Sequence, residues 1–517
     1  LWNIIKLTFI ITTLIAHFIL SHLIFKKIIF KFIKKLEKIF IKKYPRTPKS
    51  KTNKKDLSLI IGENSKNELI SIPESGLYQN FLITGTIGSG KTSSAMYPFT
   101  RQLLEFNKSN PNNKIGMLIL DVKGNYYSQV KKFCAQFDLL DDLIVLELNG
   151  DVFYNPLHKP NLKPIVLANR LKTILTLFSE NNSESYWLDK AEQILSECIK
   201  LCRLYNNNYV TFLELHKLIT IPSYFEEKIH ILRNLFISSK FTTKDIYELN
   251  ASLDFFQKEF QNLDARTKGI LISEITRITN TFISDYEVSS CFCSPKEKLS
   301  FLGFSDLLSK GKILVLNINI AEYSLLSRII ATYLKLDFQA EVLSTLSNNA
   351  VRRSAFICDE YDKYCTKTDA DFFSVSREAK CINIVSTQSY SSLKNALKDE
   401  ATVKVITQNL INKIWFRTDD IFTIEEAQKQ LGKEDKEKIS KSYSESAKET
   451  KFSYITQTLN SENSNISETY STFTQNDYIY DTKFFTQDLE TFSALTFLSN
   501  GNKIYNPEKL KMLPYFK

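Results

Sequence analysis

Short apolar runs bounded by Gly, Asp or Asn recur along much of the chain: Phe81–Thr84, Met117–Leu120, Leu143–Leu146, Ile313–Ile318, Ala355–Cys358, Ile382–Ser386 and Ile414–Phe416. Runs of that length predict buried parallel strands, apolar on both faces. Between Pro164 and Leu299 the strand pattern disappears. Tyr186-Trp187-Leu188, Ala191, Ile194-Leu195, Cys198-Ile199 and Leu201-Cys202 recur there at helical spacing, and Ile229–Phe260 and Ile270–Phe282 do likewise. The pattern predicts an α/β core with a mostly parallel sheet and an all-α domain inserted between its two parts.

The ends read differently. Leu7–Phe25 is an apolar run that would span about 28 Å as a helix, close to the hydrocarbon thickness of a bilayer. His17 and His22 lie inside it and are expected neutral and partnered. Ile28, Ile29, Phe32, Ile33, Leu36, Ile39 and Phe40 then interleave with lysines at helical spacing, the pattern of an amphipathic basic helix at an anionic surface. The basic block follows the apolar run, and no small-residue cleavage site is present, which argues for an anchor over a signal peptide. The positive-inside rule places everything after Lys26 in the cytoplasm, at the inner membrane. The chain opens on Leu1 rather than Met, leaving room for an upstream segment such as a second span. From Ser440 to Gln475 the composition turns to Ser, Thr, Asn, Gln and Tyr, a flexible or extended surface segment. The expected organisation is a transmembrane anchor (1–25), a basic juxtamembrane segment and linker (26–70), an α/β domain in two parts (71–163 and 301–432) around the all-α domain (164–300), the Ser/Thr/Asn-rich segment (433–480) and a C-terminal stretch docking on the core (481–517).

Composition changes this picture in one respect. The net charge of +10 looks suited to nucleic acid, but Lys26–Lys55 holds thirteen basic residues and one acidic residue, +12 in all. The other 487 residues therefore sum to −2 (10 − 12), so the charge is no evidence that the body binds DNA. The eight cysteines form no C-x-x-C pair and read as reduced, mostly buried thiols. With five scattered histidines they offer no zinc site.

Gly85-Thr86-Ile87-Gly88-Ser89-Gly90-Lys91-Thr92 fits G-x-x-x-x-G-K-[ST], with a strand before it and a helical stretch, opening on Ser93, after it. The glycines let the backbone wrap phosphate oxygens and point N–H groups at them, and the helix N-terminus adds positive potential. Lys91 is placed to reach the β- and γ-phosphates of ATP and Thr92 to hold Mg²⁺. Ala355–Cys358 ends in Asp359-Glu360. Alone such an ending is common; after a P-loop it becomes a Walker B candidate, with Asp359 holding Mg²⁺ through water and Glu360 polarising the attacking water. Gln388 follows another strand and is either a γ-phosphate sensor or a strand-capping amide. Asp121 and Lys123, after the second strand, either serve the nucleotide and the P-loop or form a solvated turn. Arg377, by itself, is one surface arginine among several.

In order, the anchor, the P-loop, Leu120-Asp121-Val122-Lys123-Gly124, Phe153-Tyr154-Asn155-Pro156-Leu157, Tyr186-Trp187 with Ala191, Leu195 and Ile199, Asp359-Glu360, and the ending Pro514-Tyr515-Phe516 resemble the TraG/TraD-type coupling ATPases of type IV secretion and conjugation. Phe153–Leu157 resembles that family's F-N-P-L signature, and the Tyr186-Trp187 helix its all-α domain. The resemblance implies a RecA-like P-loop core and a homo-hexamer that binds ATP between subunits. Lys91, Thr92, Asp359 and Glu360 would stand on one side, the arginine finger Arg377 would come from the neighbour, and Gln388 would be the sensor. It further implies single- or double-stranded DNA, relaxase-type nucleoprotein and channel components as partners. Two departures stand out: one span is visible where the family has two, and Lys380 occupies a position where a small residue, usually Gly, is expected. The competing readings are a cytosolic duplex-DNA pump, against which the anchor and the helical insertion argue, and a non-hydrolysing docking platform, against which Lys91, Asp359 and Glu360 argue.

Overall fold

The computed structural model describes residues 57–121, 124–178, 185–238, 241–318, 322–347, 351–446, 451–453, 458–460 and 465–516. The Leu7–Phe25 run and the basic block lie outside the described residues, and no helix among those described is long and apolar enough to cross a membrane.

Leu57–Leu513 forms one compact unit. Its strands, in chain order, are β1 (Ser58–Glu63), β2 (Leu69–Pro73), β3 (Phe81–Thr84), β4 (Gly116–Leu120), β5 (Leu143–Glu147), β6 (Ile313–Asn317), β7 (Ser354–Cys358), β8 (Cys381–Thr387), β9 (Asn412–Phe416), β10 (Lys433–Ser446), β11 (Lys451–Ser453), β12 (Thr458–Asn460), β13 (Asn465–Tyr478), β14 (Ser493–Phe497) and β15 (Glu508–Met512). Eleven of them make one sheet in the order β2-β1-β15-β14-β9-β3-β8-β7-β4-β6-β5. The seven apolar runs of the sequence are the seven strands from β9 to β5, and they pair in parallel. Every residue of β3, β4, β7, β8 and β9 is buried, as befits a sheet covered by helices on both faces.

Four antiparallel strands extend the β9 edge: β14 pairs with β9, β15 with β14, β1 with β15 and β2 with β1. The stretch expected as linker up to residue 70 is therefore strand already from Ser58 on. Ser58–Glu63 buries Leu59, Ile61 and Gly62 and leaves Ser58, Ile60 and Glu63 partly exposed, a weaker signal than the continuous runs of the centre.

Between β5 and β6 the described residues form helices only, from Pro164–Phe178 and Ser185–Tyr205 to Ala265–Ile283 and Tyr286–Phe292. Local chemistry starts them: Thr211 accepts from the Glu214 N–H, Thr242 and Asp245 close a capping box, and Asp264 and Asp285 cap the last two. Their apolar faces share a hydrophobic cluster with the sheet, running from Leu118 and Leu146 through Leu171, Leu195 and Phe282 to Leu334.

The Ser/Thr-rich segment is extended. β10 and β13 pair antiparallel over their full lengths, from Lys433 opposite Tyr478 to Ser446 opposite Asn465. Thr, Ile, Tyr and Phe along β13 favour strand backbone, and the cross-strand pairs add to it: Lys433 over Tyr478, Lys441 over Tyr470, and Lys438 with Asp477.

In Pro514–Phe516, outside the compact unit, the Tyr515 and Phe516 rings meet edge to face.

Candidate active site

Because β3, β7, β8 and β9 run parallel, the turns at their C-terminal ends share one edge of the sheet, where open α/β sheets bind ligands. The P-loop follows β3, Asp359-Glu360 follows β7, Gln388 follows β8 and Arg417 follows β9. The loop needs its glycines: Gly88 has φ +79° and Gly90 φ +101°, backbone that side chains resist. A Cβ on Gly90 would also stand 2.6 Å from the Phe492 ring.

Neighbouring strands hold the loop. Gly85 N–H donates to the Gln388 carbonyl (3.3 Å), and Thr86 N–H (2.9 Å) and its hydroxyl (3.1 Å) donate to the Arg417 carbonyl. Phe492, itself at φ +64°, donates its N–H to the Ser89 carbonyl (3.2 Å). The Ser89 side chain is bonded to the Thr86 carbonyl and Ser93 to the Gly90 carbonyl. Ile87, 78% exposed, stands at the rim. Lys91 is buried to 8% exposure and reaches back to the carbonyls of Gly85 (2.5 Å) and Thr86 (3.4 Å). Its ammonium thus lies across the mouth of the loop.

The Thr92 hydroxyl donates to Asp359 Oδ2 at 2.9 Å. Asp359 is 3% exposed, and its other oxygen accepts from the Ser386 hydroxyl and, at 3.2 Å, from the Glu360 N–H. Gln388 Nε2 donates to Glu360 Oε2 at 3.2 Å. Glu360 adopts left-handed backbone, φ +52° and ψ +48°. The structure thus gathers Gly85–Ser93, Asp359, Glu360 and Gln388 at one edge. A hydroxyl beside a carboxylate is the donor set that suits hard Mg²⁺; among the described residues no cluster of three His, Cys, Asp or Glu forms a metal cage.

Arg377 is not gathered there. It is exposed and precedes Cys381, at the far end of a strand of seven residues, about 20 Å long. Lys380, where the resemblance expects a small residue, has φ +51°, a conformation glycine adopts more readily. Asp121 is buried and accepts from the Tyr126 N–H (3.0 Å), starting the next helix; Lys123 lies outside the described residues. Burial, with Asp359 and Asp121 nearby, pushes the Tyr126 phenol well above its ordinary range, so it stays neutral while bonded to Thr100 (2.8 Å). Asn155 is a joint of the insertion: its amide donates to the Val210 carbonyl (2.8 Å) and its oxygen accepts from the Leu157 N–H (2.9 Å).

Sequence reasoning missed Ser386, Arg417 and Phe492. Ser386 lay within a recognised run, and its polarity amid apolar neighbours was the available signal. Arg417 and Phe492 carry no motif; only the pairing of β9 with β3 and β14 brings them to the loop.

Fold and site together define a mostly parallel α/β core with a glycine loop of P-loop pattern at the carboxyl edge of its sheet. Residues 353–476 match the family model described as the TraM recognition site of TraD and TraG. Among solved structures, the bacterial conjugative coupling protein TrwBdeltaN70 in an unbound form is 14% identical, with TM-score 0.58 over 90% of this chain and 89% of its own. The plasmid coupling protein TrwB with the GTP analogue GDPNP is 14% identical, TM-score 0.55, covering 91% and 96%. TrwB with ADP and Mg²⁺ is 13% identical, TM-score 0.56, covering 86% and 87%. The sequence matches none of the curated proteins. The resemblance to TraG/TraD-type coupling proteins is thus met by a family model and by the fold.

Proposed function

We propose that this chain is an ATP-hydrolysing coupling protein of conjugative DNA transfer, which recruits DNA or relaxase-type nucleoprotein to a type IV secretion channel and drives its passage. The observation that carries the reading is the Thr92–Asp359 contact beside the Glu360–Gln388 pair, at the mouth of a glycine loop. Similarity to conjugative coupling proteins, one solved with ADP and Mg²⁺, supplies the biological setting.

ATP enters with its phosphates in the loop, where backbone N–H groups and Lys91 offset their charge. Mg²⁺ held by Thr92 and, through water, Asp359 would neutralise charge on the phosphate oxygens. Glu360 orients and polarises the attacking water, and Gln388 fixes the carboxylate and registers the γ-phosphate. Arg377 precedes β8, at the opposite end of that strand from Gln388, which supports a role at the site of the adjacent subunit in a homo-hexamer. The apolar Leu7–Phe25 run and the basic block that follows anchor the assembly at the inner membrane with its bulk in the cytoplasm.

The test is ATPase activity of the purified chain with single- and double-stranded DNA added in turn. Turnover stimulated by DNA and lost in Lys91→Ala is expected. Turnover that ignores DNA would remove the motor, and no turnover would leave a docking platform.

A further inference from the structure

Among the P-loop and the Asp359-Glu360 pair, Glu360 is the one residue other than glycine in left-handed backbone, φ +52° and ψ +48°. A glutamate there costs about 1 kcal/mol or more and persists only when its surroundings over-determine it. On one side it is held by Asp359, itself tied to Thr92 and Ser386. On the other side Glu360 leads into the turn Tyr361–Lys363. That turn is pinned by a carboxylate no motif marks, Asp369.

Asp369 is wholly buried. It accepts from the Tyr361 hydroxyl (2.5 Å), from Lys335 Nζ (2.5 and 2.7 Å), from Gln339 Nε2 (2.9 Å) and from Thr366 through its N–H (2.9 Å) and hydroxyl (3.0 Å). Lys335 is equally buried. Two such charges out of water are costly unless paired and saturated with hydrogen bonds. Replacing a buried ion pair by apolar residues of similar volume is often neutral for stability, so such a pair points to a role besides stability.

Lys335 belongs to the helix Ser324–Ser347. Two residues on, roughly 200° around that helix, Asp337 accepts from Arg170 Nη1 (2.7 Å), Lys159 Nζ (2.5 Å) and the Tyr154 hydroxyl (3.3 Å). Tyr333 of the same helix donates to the Pro156 carbonyl (2.5 Å). One rigid element is therefore bolted on one side to the turn after Glu360 and on the other to the joint of the all-α insertion.

We propose that Asp369 and Lys335 are positioning residues for hydrolysis: by gripping Tyr361 they hold the Glu360 carboxylate at Gln388, and through helix Ser324–Ser347 they register that turn against the all-α insertion. The proposal rests on the ATPase reading given above.

Tyr361→Phe in the full chain removes one hydroxyl and leaves the ring. Its kcat is expected to fall about tenfold with the KM for ATP within twofold, the pattern of an interaction that matters only in the transition state. Combined with Gln388→Ala the losses should be less than additive, because both act on one carboxylate. K335M/D369N, which removes both charges and leaves neither uncompensated, is the second variant and should show the same split. Wild-type kcat in a folded Tyr361→Phe, or additive losses with Gln388→Ala, would overturn the proposal alone. A wild-type chain without turnover would overturn the ATPase reading, and this proposal with it.

Discussion

Lys91 folds back onto the glycine loop, so its removal tests the proposed chemistry without touching the hydrophobic core. Lys91→Ala is expected to keep the fold and lose hydrolysis by a hundredfold or more, as about 3 kcal/mol or more of transition-state stabilisation disappears; a phosphate-release assay checks it. Glu360→Gln should bind ATP and turn it over very slowly, read by a fluorescent analogue beside the same assay. A different residue makes a pH prediction. Lys413 is buried in β9, its ammonium donating to the carbonyls of Thr407 and Leu410. Burial pushes it down to about 7. Because the folded value lies below the unfolded one, the unfolded chain binds the extra proton between pH 7 and about 10.4, and stability rises with pH across that window. Urea midpoints at pH 7, 8.5 and 9.5 should climb for the wild type and climb less for Lys413→Met. Nothing in the sequence marked Lys413, since burial of a lysine is a tertiary fact. Lys91, Asp359 and Glu360 were legible because their spacing is fixed by local backbone, whereas Asp369 acts through a helix more than thirty residues away in sequence.

Among the elements, the central strands were readable as continuous apolar runs, and the antiparallel ones were not. β15 reads Glu-Lys-Leu-Lys-Met, with only Leu510 and Met512 turned inward, and such short alternation is easily taken for loop. The β10–β13 ribbon was masked by its Ser/Thr composition, and its long side chains, Ile439, Tyr443, Tyr470 and Phe473, are largely exposed. Lys433 and Tyr478 face each other at its base, so residues 434–477 can be replaced by a short Asn-Gly turn. That variant is expected to keep basal ATPase and to melt within a few degrees of the wild type; loss of fold would mean that the ribbon belongs to the core. Gly90→Ala, by contrast, strains the loop at φ +101° and drives a methyl group at Phe492. It should cost about 1–3 kcal/mol and abolish nucleotide binding, measurable by thermal shift with ADP.

At the scale of the whole molecule, alternation of strand and helix patterns gave the α/β core and the insertion, while the strand order was hidden because it depends on pairings between distant segments. Arg377 belongs to this scale, since it lies far from its own P-loop. Arg377→Ala and Lys91→Ala should each be inactive, and mixed together should regain some turnover through interfaces that hold one intact partner of each kind. No recovery at any ratio, with mixed rings shown to form, would take Arg377 out of the site.

The central strand carries one more consequence, for the order in which the protein is made. β3 is flanked by β8 and β9, with Phe81 opposite Ile384 and Asn412, roughly three hundred residues further along, and the loop it feeds is closed by Phe492. At about 5–20 residues per second on the ribosome, the segment bearing Lys91 waits tens of seconds for its neighbours. Such distant pairings also assemble slowly. The loop that bears Lys91 is therefore completed last in biogenesis, only after the segments carrying β8, β9 and Phe492 have left the ribosome.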